Sequence, residues 1–287
     1  MARSLRSKLK IKMKPVASCL RQNKKLKFFN MNKSLIVANW KCNPTSKVEA
    51  FNLFKAANDA IEDAKSVEVV ICPPYVQISD IRHQMPEKGG LIKLGAQDCF
   101  WEQKGAYTGE VSPAMLKDMG CEYVIVGHSE RRQYFNESDE IVNKKLKAAS
   151  DGKLKPIVCI GEKEEEKEIV KEILQKQLGE CLRDLSASQA AKIVIAYEPV
   201  WAIGTGNFCL PEDAFSACLI IKRFLMNLFG KNTADNIRIL YGGSVDGKNA
   251  AQYVKEAKMD GLLVGGASLN GGEFGKIISS IATISNF

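Results

Sequence analysis

From residue 35 onward, short apolar runs alternate with longer stretches whose apolar positions recur every three or four residues. The first pattern predicts buried strands and the second predicts amphipathic helices. The strands fall at Leu35–Ala38, Val67–Cys72, Leu91–Leu94, Tyr123–Val126, Pro156–Ile160, Ile193–Ala196, Ile237–Leu240 and Gly261–Val264. Helices are expected between them over 45–64, 77–84, 113–119, 139–149, 163–185, 211–229 and 248–257, with a last one over 273–284. A long loop, Gln97 to Glu110, interrupts the alternation after the third strand.

Strands apolar on both faces belong in a parallel sheet covered by helices. Eight strand–helix units without a domain-sized break favour one (β/α)8 TIM barrel over residues 34–287. A doubly wound sheet would want fewer units and a G-x-G-x-x-G after the first strand, which instead ends in Asn39-Trp40-Lys41.

The formal net charge of +8 changes meaning once it is located. Residues 1–33 hold 11 Lys or Arg and no acid, leaving 30 basic against 33 acidic side chains in the remainder. The body is slightly acidic, and nothing outside the first 33 residues suggests nucleic acid. That basic extension lacks a sustained apolar face and is expected to be disordered. It reads as a misassigned start before Met31, as a plastid or mitochondrial transit segment, or as a surface-binding arm. No apolar run approaches the ~18 residues of a membrane helix. Nine cysteines stand singly, with no metal-ligand spacing, which fits a reducing compartment and a cytoplasmic location.

The unusual residues collect where strands end. Asn39 and Lys41 end the first, His128 and Glu130 the fourth and Glu198 the sixth; Ser244 follows the seventh, and Gly265 and Gly266 follow the eighth. All lie at carboxyl ends, the face where such barrels build their sites. Pro199 stops the sixth strand. An apolar run, Val200 to Ile203, and then Gly204 and Gly206 describe a lid that can swing beside a carboxylate. A helix N-terminus after His128 disfavours added positive charge, so a neutral, hydrogen-bond-donating ring is expected there. Glycine pairs after strands seven and eight suit a phosphate held by backbone N–H groups.

The string Ala196-Tyr197-Glu198-Pro199-Val200-Trp201-Ala202-Ile203-Gly204-Thr205-Gly206 resembles the base-and-lid segment of the triosephosphate isomerase family. Asn39–Asn43, Gly127–Arg132, Ile157–Glu162, Tyr241–Val245 and Leu263–Ser268 are similar to further stretches of that family, in the same order. Ala38 and Cys42 stand where the family commonly has Gly and Met. The resemblance implies cofactor-independent, metal-free interconversion of glyceraldehyde 3-phosphate and dihydroxyacetone phosphate in glycolysis and gluconeogenesis. Glu198 would be the base, His128 the electrophile, and Lys41 and Asn39 would stabilise and bind the substrate, with Glu130 and Cys159 supporting. The pairing of a glutamate base with a neutral histidine is a known property of this family, carried over with the resemblance. Backbone near Gly204, Ser244, Gly265 and Gly266 would hold the phosphate. The resemblance also implies a homodimer in which Thr108 reaches the neighbour's Asn39 and His128.

Two other readings stay open. Lys41 could serve an aldolase-type barrel as a Schiff-base nucleophile, or the barrel could bind phosphates or partners without catalysis.

Overall fold

The structure, a computed structural model, describes residues 33–62, 64–87, 89–204 and 206–284. The basic extension up to residue 32, with its targeting and start-site readings, lies outside the described residues. Eight parallel strands form a closed ring: β1 (Ser34–Asn39), β2 (Val67–Cys72), β3 (Ile92–Ala96), β4 (Tyr123–Val126), β5 (Lys155–Ile160), β6 (Val194–Tyr197), β7 (Arg238–Tyr241) and β8 (Gly261–Val264). β1 pairs with β8 from Leu35↔Gly261 to Ala38↔Val264 and so closes the barrel. Gly261 has φ +152, and a Cβ there would stand 2.7 Å from the backbone N of Leu35, so glycine is what lets the seam come together.

Outside the ring lie α1 (Lys47–Glu62), α2 (Tyr75–Gln84), α3 (Pro113–Asp118), α4 (Ser129–Tyr134), α5 (Asp139–Asp151), α6 (Val170–Cys181), α7 (Ala187–Ala190), α8 (Pro211–Phe229), α9 (Lys231–Asn236), α10 (Ala250–Lys255) and α11 (Gly271–Ile284). The side-chain period of two divides each strand between two cores. Val37, Val70, Cys72, Ile125, Ile157, Cys159, Ala196, Leu240 and Leu263 fill the barrel interior. Their neighbours Ile36, Ile71, Val124, Val158, Ile195, Ile239 and Leu262 pack outward against the helices. This double burial is why the strands read as continuous apolar runs.

The expected helix over 163–185 is two pieces, a 3-10 segment over Glu164–Ile169 and then α6. No residue of the 3-10 segment is buried, so no packing selects the α form there. α4, α7 and α9 are short helices that the periodicity did not mark. The loop after β3 is less open than its aromatics suggested. Phe100 is buried, with ring centroids 4.1 Å from Trp101 and 4.7 Å from Tyr107.

The amino end of the barrel is not apolar. Glu68, Lys93, Tyr123 and Arg238 stand at or near the first residue of their strands, on the inward-facing parity. Glu68 accepts from Lys93 at 2.8 Å, from the Tyr123 hydroxyl at 2.6 Å and from Arg238 at 2.7 Å. Burial works against its charge, yet these donors outweigh burial and hold the carboxyl down to about 2. The molecule therefore has a charged floor, and the candidate site sits at the other end of the same strands.

Candidate active site

Strand parity decides which side chains reach the upper mouth. Two residues beyond Val37 is Asn39, and two beyond Ala196 is Glu198, so both continue inward-facing rows. Each is nearly closed off from solvent, at 4 % and 1 % exposure. Gly161 lies against the Glu198 carbonyl, where any Cβ would collide, and a Cβ at Gly242 would stand 2.9 Å from Glu198 Cγ. Only glycine fits against the backbone of Glu198 on one side and against its side chain on the other.

β4 ends at Val126, and Gly127 turns the chain with φ +69. His128 then caps α4. Its backbone carbonyl accepts from Arg131 N at 2.9 Å, and its Nδ1 accepts from Glu130 N–H at 3.2 Å. An Nδ1 that accepts leaves the proton of the neutral ring on Nε2. Nε2 stands 3.2 Å from Glu198 Oε1. The alignment is poor enough that Oε1 has no hydrogen-bond partner, although it lies within ion-pair distance. Glu198 Oε2 accepts from the backbone N–H of Ser129 at 2.9 Å. Ser129 falls within the Gly127–Arg132 motif, yet nothing in the sequence gives it a role. A peptide N–H carries no side-chain signal, so only the start of α4 beside β6 reveals it.

Lys41 takes the left-handed conformation, φ +54, rare for a residue with a side chain. Its N–H donates to Asn39 Oδ1 at 3.0 Å, and its Nζ donates to Glu130 Oε1 at 2.6 Å. A Cβ on Gly265 would stand 3.1 Å from Lys41 Cε, so bare backbone at the end of β8 lets the lysine stem pass. Glu130 also faces His128, with Oε2 3.7 Å from Nδ1. Asn39, Lys41, His128, Glu130 and Glu198 thus form one connected group. Cys159 lies beneath it; burial pushes its thiol well up, and the nearby Glu198 carboxylate adds to the effect.

The lid begins with Pro199 and a 3-10 turn over Val200–Ala202. Contacts to Glu162 and Ser244 hold this half. Val200 N donates to Glu162 O at 2.9 Å, Trp201 Nε1 donates to Glu162 Oε1 at 2.8 Å, and Ser244 Oγ donates to Ala202 O. Glu162 is buried, which raises its carboxyl. Tyr197 donates to the same oxygen at 3.0 Å. Gly204 and Gly206 have φ +69 and +77, and nothing would meet a Cβ on either, so they form an open tip that can pivot. Ser244 is thereby joined to the lid, and Gly265 to the Lys41 side of the mouth. Gly266 starts a 3-10 turn.

Thr108 is exposed on the loop after β3, with Tyr107 beside it also exposed. Within one chain it does not join the group around Glu198. A second network, at the base of that loop, leaves no mark in the sequence pattern. Buried Lys145 bonds Asp98 at 2.7 and 2.6 Å and Glu137 at 2.5 Å. Arg131 meets the same two carboxylates at 3.0 and 2.6 Å. Burial pushes Asp98 up to about 6 against the pull of Lys145.

Comparison with known proteins points the same way as the geometry. Residues 34–281 match the family described as triosephosphate isomerase. A relative named triosephosphate isomerase from Caldanaerobacter subterraneus subsp. tengcongensis is 47% identical over 251 residues, 87% of this chain and 100% of the relative. Relatives with the same name from Clostridium botulinum and Endomicrobium trichonymphae are 48% and 46% identical, over 87% and 86% of this chain and 100% and 98% of their own lengths. With its closed eight-stranded barrel and a match running from β1 almost to the end of α11, the chain belongs to the triosephosphate isomerase family.

Proposed function

We propose that the chain interconverts glyceraldehyde 3-phosphate and dihydroxyacetone phosphate, with Glu198 as the base. The observation that carries the residue assignment is the Glu198 carboxylate. It is buried, with one oxygen on the Ser129 N–H and the other facing His128 Nε2. At 3.2 Å there is no room for a substrate atom between that oxygen and the ring. The carboxylate must therefore turn away from His128 as substrate enters, giving up Ser129. It then takes a proton from the carbon beside the carbonyl and returns it to the neighbouring carbon, while the hydroxyl proton passes from one oxygen of the enediolate to the other.

Charge develops on the carbonyl oxygen as the enediolate forms. His128 Nε2–H and the Lys41 ammonium are fixed donors for it, and Asn39 holds the Lys41 backbone. Backbone near Gly204, Ser244, Gly265 and Gly266 binds the phosphate. That remote binding free energy holds the reacting carbons in place while the lid excludes water. The test is isomerase activity of the purified protein on glyceraldehyde 3-phosphate, alongside Glu198→Gln. The variant is expected to lose about 10²–10⁴-fold in kcat with little change in KM. Near-normal turnover would remove Glu198 from the mechanism.

The Schiff-base reading is weaker. Lys41 Nζ is paired with Glu130 at 2.6 Å, and a nucleophilic lysine needs an apolar pocket. Borohydride trapping of a substrate carbonyl on Lys41 would revive it. A homodimer fits the exposed Tyr107 and Thr108, which a neighbour's mouth could bury. A cytoplasmic location fits the eight free cysteines among the described residues. Among those residues, no helix is long and apolar enough to cross a membrane. A boundary at 33/34 fits the start of both β1 and the family match at residue 34.

A further inference from the structure

Lys41 is held in a conformation its own side chain disfavours, and its carbonyl needs a donor. The left-handed region costs a residue with a Cβ about 1–2 kcal/mol, so φ +54 persists only if the surroundings impose it. Two anchors have been described: Asn39 Oδ1 on its N–H and Glu130 on its ammonium. The third comes from β3. Lys93 and Gly95 occupy the inward-facing positions of that strand, and Gln97 continues the row just past its end. Gln97 Nε2 donates to the Lys41 carbonyl at 2.8 Å and to the Cys72 carbonyl at 2.9 Å. Cys72 O also accepts from Trp40 N at 3.2 Å. Both Gln97 contacts are to acceptors, so the amide nitrogen must face them, and its two protons are used.

We infer that Gln97 is a positioning residue, which acts by locking the Lys41 peptide so that its ammonium stays over the reaction centre. Gln97 does not touch the Asn39–His128–Glu198 group in this arrangement; its influence passes through a backbone carbonyl. It also ties the ends of β1, β2 and β3 together, a purely structural job that must be separated from the positioning one. Gln97 supplies what the strands cannot: a neutral double donor in the gap where β1 turns away from β2. Without it, the 40–43 segment can relax out of the left-handed turn and carry Nζ off its station, although Glu130 is still present.

The inference rests on the assignment of Lys41 as an electrostatic catalyst, and a four-member comparison separates the two. kcat/KM is measured for the unaltered protein, Gln97→Met, Lys41→Ala and the double variant. All are assayed at concentrations where sedimentation gives the same mass. Gln97→Met keeps length but removes both donors, so about a ten- to hundred-fold loss is expected in the unaltered background. In the Lys41→Ala background the same change should cost less than about threefold, because the group being positioned is gone. Equal losses in both backgrounds would mean a structural role and overturn the inference. No loss from Gln97→Met would overturn it as well. If Lys41→Ala itself keeps full activity, the Lys41 assignment fails, and this inference with it. Should Gln97→Met not fold, Gln97→Glu keeps length and polarity while its carboxylate offers no donor, and the same comparison is read from it.

Discussion

Gly161 gives a sharp way to test how rigidly Glu198 is held. The residue follows β5, and an added Cβ would stand 2.5 Å from the carbonyl carbon of Glu198 and closer still to its oxygen. Ordinary contact begins at 3.4 Å and the carbonyl oxygen is the nearer atom, so in Gly161→Ala one of the two backbones must move by well over ~1 Å. Gly161 cannot easily be the one that moves. Its N–H donates to Gln177 Oε1 at 2.8 Å, and its carbonyl accepts from Gln177 Nε2 at 3.0 Å. Glu198 is tied back to Ile160 O at 2.7 Å, so its displacement also strains the β5–β6 pairing. A misplacement of about 1 Å can cost on the order of 10²-fold in rate. Overpacking of this kind costs about 1–3 kcal/mol of stability. The expected result is therefore a folded protein with normal far-ultraviolet circular dichroism, a lowered melting temperature and kcat down about 10²-fold in a coupled isomerase assay. Releasing the clamp in Gly161→Ala/Gln177→Ala should return part of the rate, since Gly161 can then yield instead of Glu198. A Gly161→Ala protein within about threefold of normal kcat would refute the claim that this contact fixes Glu198 as the proposed base.

Deleting residues 203–205 should expose the enediolate to water, raising methylglyoxal and inorganic phosphate per turnover; an unchanged product ratio would mean the lid does not sequester the intermediate. Glu68 has a folded value of about 2 against 4.5, so its stabilisation is fully present above about pH 4.5 and is lost as pH falls toward 2. After discounting for partial exposure, it is worth about 1–2 kcal/mol. The urea midpoint of Glu68→Gln should therefore lie below that of the unaltered protein at pH 7 and converge with it near pH 2–3; a gap that does not narrow would show that charge is not the source. Replacing residues 105–109 with a Gly-Ser linker should yield a weakly active monomer by sedimentation, and an unmodified protein that sediments as a monomer would contradict the dimer.

The barrel was legible because burial on two faces leaves an unmistakable trace: β2, β4 and β8 have the bounds their apolar runs predict. Asn39, His128 and Glu198 were legible for a related reason, as polar residues where an apolar run stops. The floor was not. Glu68, Lys93 and Arg238 are polar residues inside or at the start of strands, and one sequence cannot distinguish a charge facing solvent from one facing three partners across the barrel. The links between Lys145 and Asp98 and between Gln97 and Lys41 span 47 and 56 positions, and no local pattern encodes either. Periodicity did not mark α4 because Ser129–Tyr134 is polar and short; the helix start expected after His128 is there, fixed by the His128 cap rather than by a buried face.

The closed ring has a consequence for how the chain can fail. Sheets usually come apart, or recruit foreign strands, at their outermost members, where a row of backbone groups has no mate. Here β1 and β8 are mates, so none of the eight described strands offers such a row. Access to one requires parting the ring, and the seam combines the pairing furthest apart in the chain with the packing of α1 against α11. Gly271 and Gly275 of α11 approach Ala56 and Ala60 of α1, where a Cβ at Gly271 would stand 2.5 Å from that of Ala56. A bulky residue at Gly271 would pry this junction open from outside. The hazard it creates would be self-association through freed strand edges, seen as aggregation well before the secondary structure is lost.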